Sequence, residues 1–302
     1  MDGRARTVRA RRPIDLRLTL GGLQHGGAYD PCTRVGAREV WRATNTPAGP
    51  ATLRLRPYGE CAVEAHAWGA GAEFALAGVD ELVGAHDDPP PLARAHPLVT
   101  ELERRLEGLR VGRTNAVFEA LVPTVLEQRV IGAEASHAFR MLVRAGGTRA
   151  PEHPELRVPP EPAWVARTPY WKFHKWGVER RRADTIRFAA QRAFRIEETV
   201  SMSVADAHRR LCAFPGIGVW TANEVAMSAL GDPDAVSVGD YWLKHVVTNA
   251  LTGEPRGTDE RMLELLEPWR GQRGRVCRLL LAGGPPLPRF GPRLPLRQLA
   301  RH

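Results

Sequence analysis

The chain has 302 residues, and 43 Lys or Arg against 34 Asp or Glu give a formal charge of +9. No apolar run approaches the roughly 20 residues that a bilayer-spanning helix needs, which excludes a helical membrane protein. A cationic surplus on a chain long enough for two or three modest domains suits an anionic partner, nucleic acid before a membrane surface.

Residues 1–12, MDGRARTVRARR, are basic and lead into no apolar stretch, so the expectation is a loose arm able to touch phosphates, not a secretory leader. Between residues 13 and 85, IDLRLTLGG, EVWRATNT, ATLRLRP and CAVEAHAWG alternate apolar and polar residues, with Gly, Pro and Asn between them. This pattern predicts a small antiparallel sheet, with a helix from Ala70 to Val83 over one face. HDDPPPLARAHP, residues 86–97, reads as a linker, because consecutive prolines forbid both helix and ladder pairing.

From residue 98 to 282 the apolar period becomes helical. VTELERRLEGL, TNAVFEALVPTVLEQRVIG, AEASHAFRMLVRAG and VERRRADTIRFAAQRAF come before residue 200, with a Pro-rich, aromatic connection at residues 147–176. VADAHRRLCAF, VWTANEVAMSAL, YWLKHVVTNAL, DERMLELLEPW and RGRVCRLLLAG follow, and residues 283–302 form a Pro/Arg-rich tail. The predicted class is α+β, a mostly helical body behind an N-terminal antiparallel β domain. Cys32, Cys61, Cys212 and Cys277 form no CxxC pair. Neither a zinc site nor a disulfide framework is expected, and a reducing, cytoplasmic compartment fits.

VADAHRRLCAFPGIGVWTANEVAMSAL reads as helix, tight turn, helix. Gly216 and Gly218 permit positive φ and the close approach of another backbone. The free amides at the start of the second helix, around Val219 and Thr221, together with its dipole favour a phosphate oxygen. The turn is either such a clamp or an ordinary helix–helix connection. Asp240, at the next helix start, is either a cap or a reactive acid.

FPGIGVWTA followed by ALGDPDAVSVGDYWLK resembles the helix-hairpin-helix DNA glycosylase superfamily, whose signature is a hairpin, a Gly/Pro-rich loop and an aspartate. Within it the resemblance is to the AlkA-like 3-methyladenine DNA glycosylases. It implies two helical subdomains, a monomer, double-stranded DNA carrying damaged bases as partner, and a cytoplasmic, nucleoid-associated protein. It also implies removal of alkylated purines by base flipping and hydrolysis, with Asp240 as the catalytic acid. Bifunctional members carry a Schiff-base lysine where this chain has Trp220, so no strand cleavage is expected. Only Cys277 follows the acid, so no iron–sulfur cluster is expected. No cofactor is required, although the carbonyls of Cys212, Phe214 and Ile217 match a structural Na+ or K+ site.

Breaking an N-glycosidic bond builds positive charge on the deoxyribose, which one carboxylate can stabilise when the leaving purine is already cationic. The extruded base needs aromatic walls. Trp220, Tyr241 and Trp269 match such positions by resemblance. Glu224, one turn beyond Trp220, stands where an aromatic is found in the family, and could favour a cationic base or hydrogen-bond an exocyclic amine. Gln128 and Arg129 align with the wedge that fills the vacated stack. Lys244 could pair with Asp240 or bind a phosphate. Two alternatives stay open: a glycosylase for an oxidised or deaminated base, and a non-enzymatic DNA-binding, damage-sensing module.

Overall fold

The computed structural model describes residues 3–287. A five-stranded antiparallel sheet opens the fold, formed by β1 (Arg4–Arg9), β2 (Thr33–Val35), β3 (Val40–Thr46), β4 (Gly49–Pro57) and β5 (Ala62–Trp68). The spatial order is β1-β5-β4-β3-β2. Its inner face carries Val8, Leu53, Leu55, Val63, Ala65 and Ala67, which pack with Leu16 and Leu20 of α1 (Leu16–Leu20). The short helices α2 (Ala72–Ala77) and α3 (Val79–Leu82) close the same core through Leu76, Val79 and Leu82.

Two expectations fail in this domain. The basic arm is edge strand β1, in register with β5 from Arg4 opposite Ala67 to Arg9 opposite Ala62. Arg4 and Arg6 pair with Glu73 and Asp80, so these cations are committed to the protein's own acids. IDLRLTLGG is not a strand but contains α1. Asp15 accepts the amides of Arg17 and Leu18 at 2.8 and 3.0 Å, and this cap favours helix over an alternation that both structures tolerate.

The helical body begins with α4 (Pro97–Arg105), α5 (Val117–Glu127) and α6 (Gly132–Gly146). The connection at residues 147–176 is more ordered than its prolines suggest. It holds a two-stranded ribbon, β6 (Thr148–Arg149) with β7 (Arg157–Val158), and the short helices α7 (Pro162–Arg167) and α8 (Tyr170–Lys175). Then come α9 (Arg180–Ala190), α10 (Ala193–Glu197), α11 (Val204–Cys212), α12 (Val219–Val225), α13 (Leu243–Thr252), α14 (Asp259–Leu266) and α15 (Arg273–Gly283). Among the described residues no helix is long and apolar enough to cross a membrane. Most of the Pro/Arg-rich tail, from residue 288 onward, lies outside the described residues.

The helices form two clusters. One gathers α5 to α12 around Phe173, Leu121, Leu126, Leu142, Ile186 and Leu211. The other gathers α4 with α13 to α15 around Leu102, Val247, Met262, Leu266 and Val276. The sheet is fastened to the first cluster by Arg42, which pairs with Glu119 of α5 at 2.6 Å, both side chains nearly buried. Thr44 adds a 2.8 Å hydrogen bond to the same carboxylate. The start of α5 is fixed by Glu197, which accepts the amides of Val117 and Phe118 at 2.9 and 2.8 Å. With one end capped and one side held, α5 delivers Glu127, Gln128 and Arg129 to a defined place.

Candidate active site

The hairpin joins α11 to α12. Buried Leu211, Phe214 and Ile217 tie the turn to the first cluster, with Phe214 edge-on to Phe188 at 6.1 Å. The two glycines differ in role. Gly216 has φ +83°, and a Cβ there would sit 2.0 Å from Thr185 Oγ1 of α9, so both backbone and space demand glycine. Gly218 is extended, at φ −101° and ψ −177°, and a Cβ on it would meet open space. Of the two glycines that permit positive φ, only Gly216 uses it.

The first hydrogen bond of α12 runs from Ala222 N–H to the Gly218 carbonyl at 2.9 Å. The amides of Val219, Trp220 and Thr221 therefore stand at the helix mouth. Gln128 and Arg129, expected to share the wedge role, are divided by the structure. Gln128 Nε2 donates to the Gly216 carbonyl at 3.0 Å and to Thr221 Oγ1 at 2.9 Å, bracing the hairpin. Arg129 is exposed at the tip of the α5–α6 loop with φ +54°, a left-handed conformation rare for a non-glycine residue.

After α12 the chain makes one π turn, Ala226–Leu230, and turns over at left-handed Gly231 into the loop that carries the acid. This loop is pinned at both ends. Asp234 pairs with Arg273 of α15 at 2.5 Å, and Gly239 N–H donates to Asp259 Oδ1 at 3.1 Å. Lys244 pairs with the other oxygen of Asp259 at 3.5 Å. Of the two roles left open for Lys244, pairing with Asp240 is not what the structure shows: its partner is Asp259.

Asp240 performs both of its candidate tasks with different atoms. Oδ1 accepts the amides of Trp242 and Leu243 at 2.7 and 2.8 Å, capping α13. Oδ2 faces the hairpin and accepts Trp220 Nε1 at 3.3 Å. This contact crosses from α12 of one helical cluster to the loop before α13 of the other, so the acid lies where the two clusters meet.

Glu224 follows Trp220 by four residues and shares its face of α12. It keeps an exposed edge, while its carboxyl group lies deep and takes a hydrogen bond from the Ser237 hydroxyl. Ser237 also offers its carbonyl to Asp240 N–H at 3.0 Å, linking the two acids through one residue. Burial pushes the Glu224 carboxyl up to about 7. Glu127 and Asp240 add to that rise, and the Ser237 bond and His25 oppose it. His25, from the N-terminal domain, pairs with Glu127 at 3.1 Å.

The remaining aromatic expectations are only partly met. Trp269 is 4% exposed, belongs to the second helical core and donates its indole N–H to the Ala93 carbonyl at 2.8 Å. It packs among Leu102, Met262 and Val276 in that core. Tyr241 precedes α13 and is 71% exposed, edge-on to Trp242 at 5.2 Å. Ser237, Glu127, His25 and Asp259 were not singled out from sequence. Ser237 lies inside the acid segment and Glu127 beside Gln128, so proximity to the motif was their only signal.

A 3-methyladenine DNA-glycosylase from Archaeoglobus fulgidus superposes with a TM-score of 0.74 at 18% identity, covering 91% of this chain and 97% of that one. This is the helix-hairpin-helix DNA glycosylase fold. An 8-oxoguanine glycosylase/lyase from Clostridium acetobutylicum shares the helix-hairpin-helix glycosylase architecture, with a TM-score of 0.70 at 14% identity over 93% of this chain and 97% of that one. A DNA-3-methyladenine glycosylase of Bacillus subtilis is 29% identical over 184 residues, 59% of this chain and 61% of that protein. The chain thus spans about six-tenths of the length of that curated relative. No protein-family model matches the chain.

Proposed function

We infer that this helix-hairpin-helix chain is a monofunctional DNA glycosylase of base excision repair. Its substrate would be double-stranded DNA bearing an alkylated purine of the 3-methyladenine type, and its product an abasic site. The observation that carries the reading is the Trp220–Asp240 contact at 3.3 Å between the two helical clusters. It sets an electron-rich ring, suited to a flat cation, beside a carboxylate oxygen suited to a cationic sugar. The Bacillus subtilis and Archaeoglobus fulgidus likenesses point the same way.

In this reading the amides of Val219, Trp220 and Thr221, beside open Gly218, grip a backbone phosphate without reading sequence. Arg129 fills the space left by the flipped nucleotide, and Gln128 stiffens the hairpin from behind. As the C1′–N bond stretches, Asp240 Oδ2 stabilises the positive charge on the sugar and water completes hydrolysis. Trp220 has no amine to form a Schiff base, which supports release of the base without strand cleavage. The carbonyls of Cys212, Phe214 and Ile217 would hold an alkali-metal ion that helps to neutralise the phosphate. All three donors are hard oxygens, and that of Phe214 already takes the Ile217 amide at 3.1 Å. The protein would act as a cytoplasmic, nucleoid-associated monomer.

A base-release assay over a panel of lesions in duplex DNA, with Asp240→Asn alongside, tests this directly. Release of an alkylated purine by the native chain and its loss in the variant is expected. Unchanged release in the variant sinks the catalytic assignment, and tight DNA binding without turnover by the native chain supports the damage-sensing alternative.

A further inference from the structure

We propose that Glu224 is a second catalytic residue, donating a proton to the departing purine when that purine is neutral. The proposal rests on the glycosylase reading and extends it to the base side of the bond. Three placements carry it. Glu224 lies on the Trp220 face of α12, the same ring whose N–H meets Asp240 at 3.3 Å. It is bonded to the hydroxyl of Ser237, whose carbonyl holds the Asp240 amide at 3.0 Å. Glu127, which immediately precedes the Gln128–Arg129 loop and is held by His25 at 3.1 Å, is near enough for its charge to be felt at Glu224. A base turned out past Arg129 with its sugar at Asp240 would come against this face of α12, and Glu224 is the carboxyl that follows Trp220 on it.

A cationic alkylated purine leaves as a neutral molecule and needs no proton. A neutral purine would leave as an anion, which is a poor leaving group. The C1′–N9 bond breaks with its electron pair going to the base, and the proton of the Glu224 carboxyl passes to a purine ring nitrogen. Water adds to C1′ and gives up a proton to solvent, and the Glu224 carboxylate regains one from solvent. One water is consumed and no other reactant is needed. The chemistry asks for a carboxyl that keeps its proton near neutrality, and burial raises Glu224 to about 7. The charged and titratable groups that bear on it are Glu127, Asp240 and His25, from α5, the acid loop and the N-terminal domain, and the buried Cys277 thiol of α15 also feels its charge. The hydrogen-bonding partner Ser237 is a positioning residue: its hydroxyl favours the ionised form and keeps the carboxyl from rising further.

The test compares single-turnover base release from duplexes containing deoxyinosine, a neutral purine lesion, or N7-methyldeoxyadenosine, which stays cationic, over a pH range spanning neutrality. With the native chain, neutral-purine release should fall as pH rises through about 7, and cationic-purine release should not follow it. Glu224→Gln should lower the neutral-to-cationic rate ratio by about 100-fold or more and erase that pH limb. Ser237→Ala, which keeps the carboxyl, should move the limb to higher pH. An unchanged ratio in Glu224→Gln, or one shared pH profile for both substrates, overturns the proposal. Cationic release with no neutral release by the native chain overturns it while leaving the glycosylase reading intact. No release from either duplex overturns both.

Discussion

Trp220 donates its indole N–H to Asp240 Oδ2 at 3.3 Å, joining the hairpin of one helical cluster to the residue that caps α13 in the other. The same carboxylate spends Oδ1 on two backbone amides. Its orientation is therefore set by the fold before any substrate arrives, which is what electrostatic stabilisation of a short-lived cation requires.

Asp240→Asn separates these duties. Asparagine caps a helix about as well as aspartate, so melting should change little. Base release should drop by at least about 100-fold while duplex binding persists, by analogy with loss of a preorganised stabilising group. A binding assay run beside the kinetics decides whether the loss is chemical.

The two hairpin glycines should respond differently to alanine. Gly216→Ala sets a Cβ against Thr185 at φ +83° and should cost roughly 2–4 kcal/mol by denaturant melting. Gly218→Ala meets nothing within the protein and should leave stability within about 0.5 kcal/mol. It should still weaken binding to undamaged duplex and flatten its salt dependence, because the new methyl group blocks the phosphate approach.

Arg129→Gly relieves a left-handed backbone and should leave stability nearly unchanged, within about 0.5 kcal/mol. Excision from a fully paired duplex should fall more than excision from a single strand, where no vacated stack needs filling. Equal losses on both substrates would remove the wedge role.

Borohydride present during turnover should trap no protein–DNA adduct, because the hairpin position of the Schiff-base lysine is Trp220. Gel mobility of the denatured protein after reaction reads this out, and a shifted band would reveal some other attacking amine.

Glu224 also makes stability depend on pH. Its carboxyl titrates at about 7 in the fold against an ordinary value of 4.5. Between those values the folded state keeps a proton that the unfolded chain has lost, so stability falls as pH rises, by about 3 kcal/mol at most. Glu224→Gln should remove this slope, becoming progressively more stable relative to the native chain as pH climbs from about 4.5 to 7. Parallel melting curves across that range would contradict the buried carboxyl.

What the sequence disclosed follows the range of the forces involved. The hairpin and Asp240 are legible because residues 214–244 form one local unit of turn glycines, amphipathic helix and capping acid. The strands from Val40 to Trp68 are legible because half-buried pairing leaves a period of two. The segment holding α1 was misread because Leu16 and Leu20 fit a helical spacing as well as an alternating one, and the Asp15 cap decides. The burial of Trp269 and its bond to Ala93 were not legible, because that partner is fixed only by tertiary folding. For the same reason nothing in the sequence joins His25 to Glu127, or brings Ser237 to Glu224.

The anchoring of the N-terminal domain to α5 and α6 reaches further than fold stability. Arg42 and Thr44 hold Glu119, His25 holds Glu127, and the carbonyls of His25 and Gly26 take Ser136 and Arg140 of α6. These contacts flank the loop that ends in Arg129 and set the charge felt by Glu224. A helical body cut free at the proline linker would expose Glu119 and Glu127 as uncompensated acids. The sheet thus works as a remote tuning element: His25 opposes the rise of the Glu224 carboxyl from a domain that supplies no residue to the hairpin.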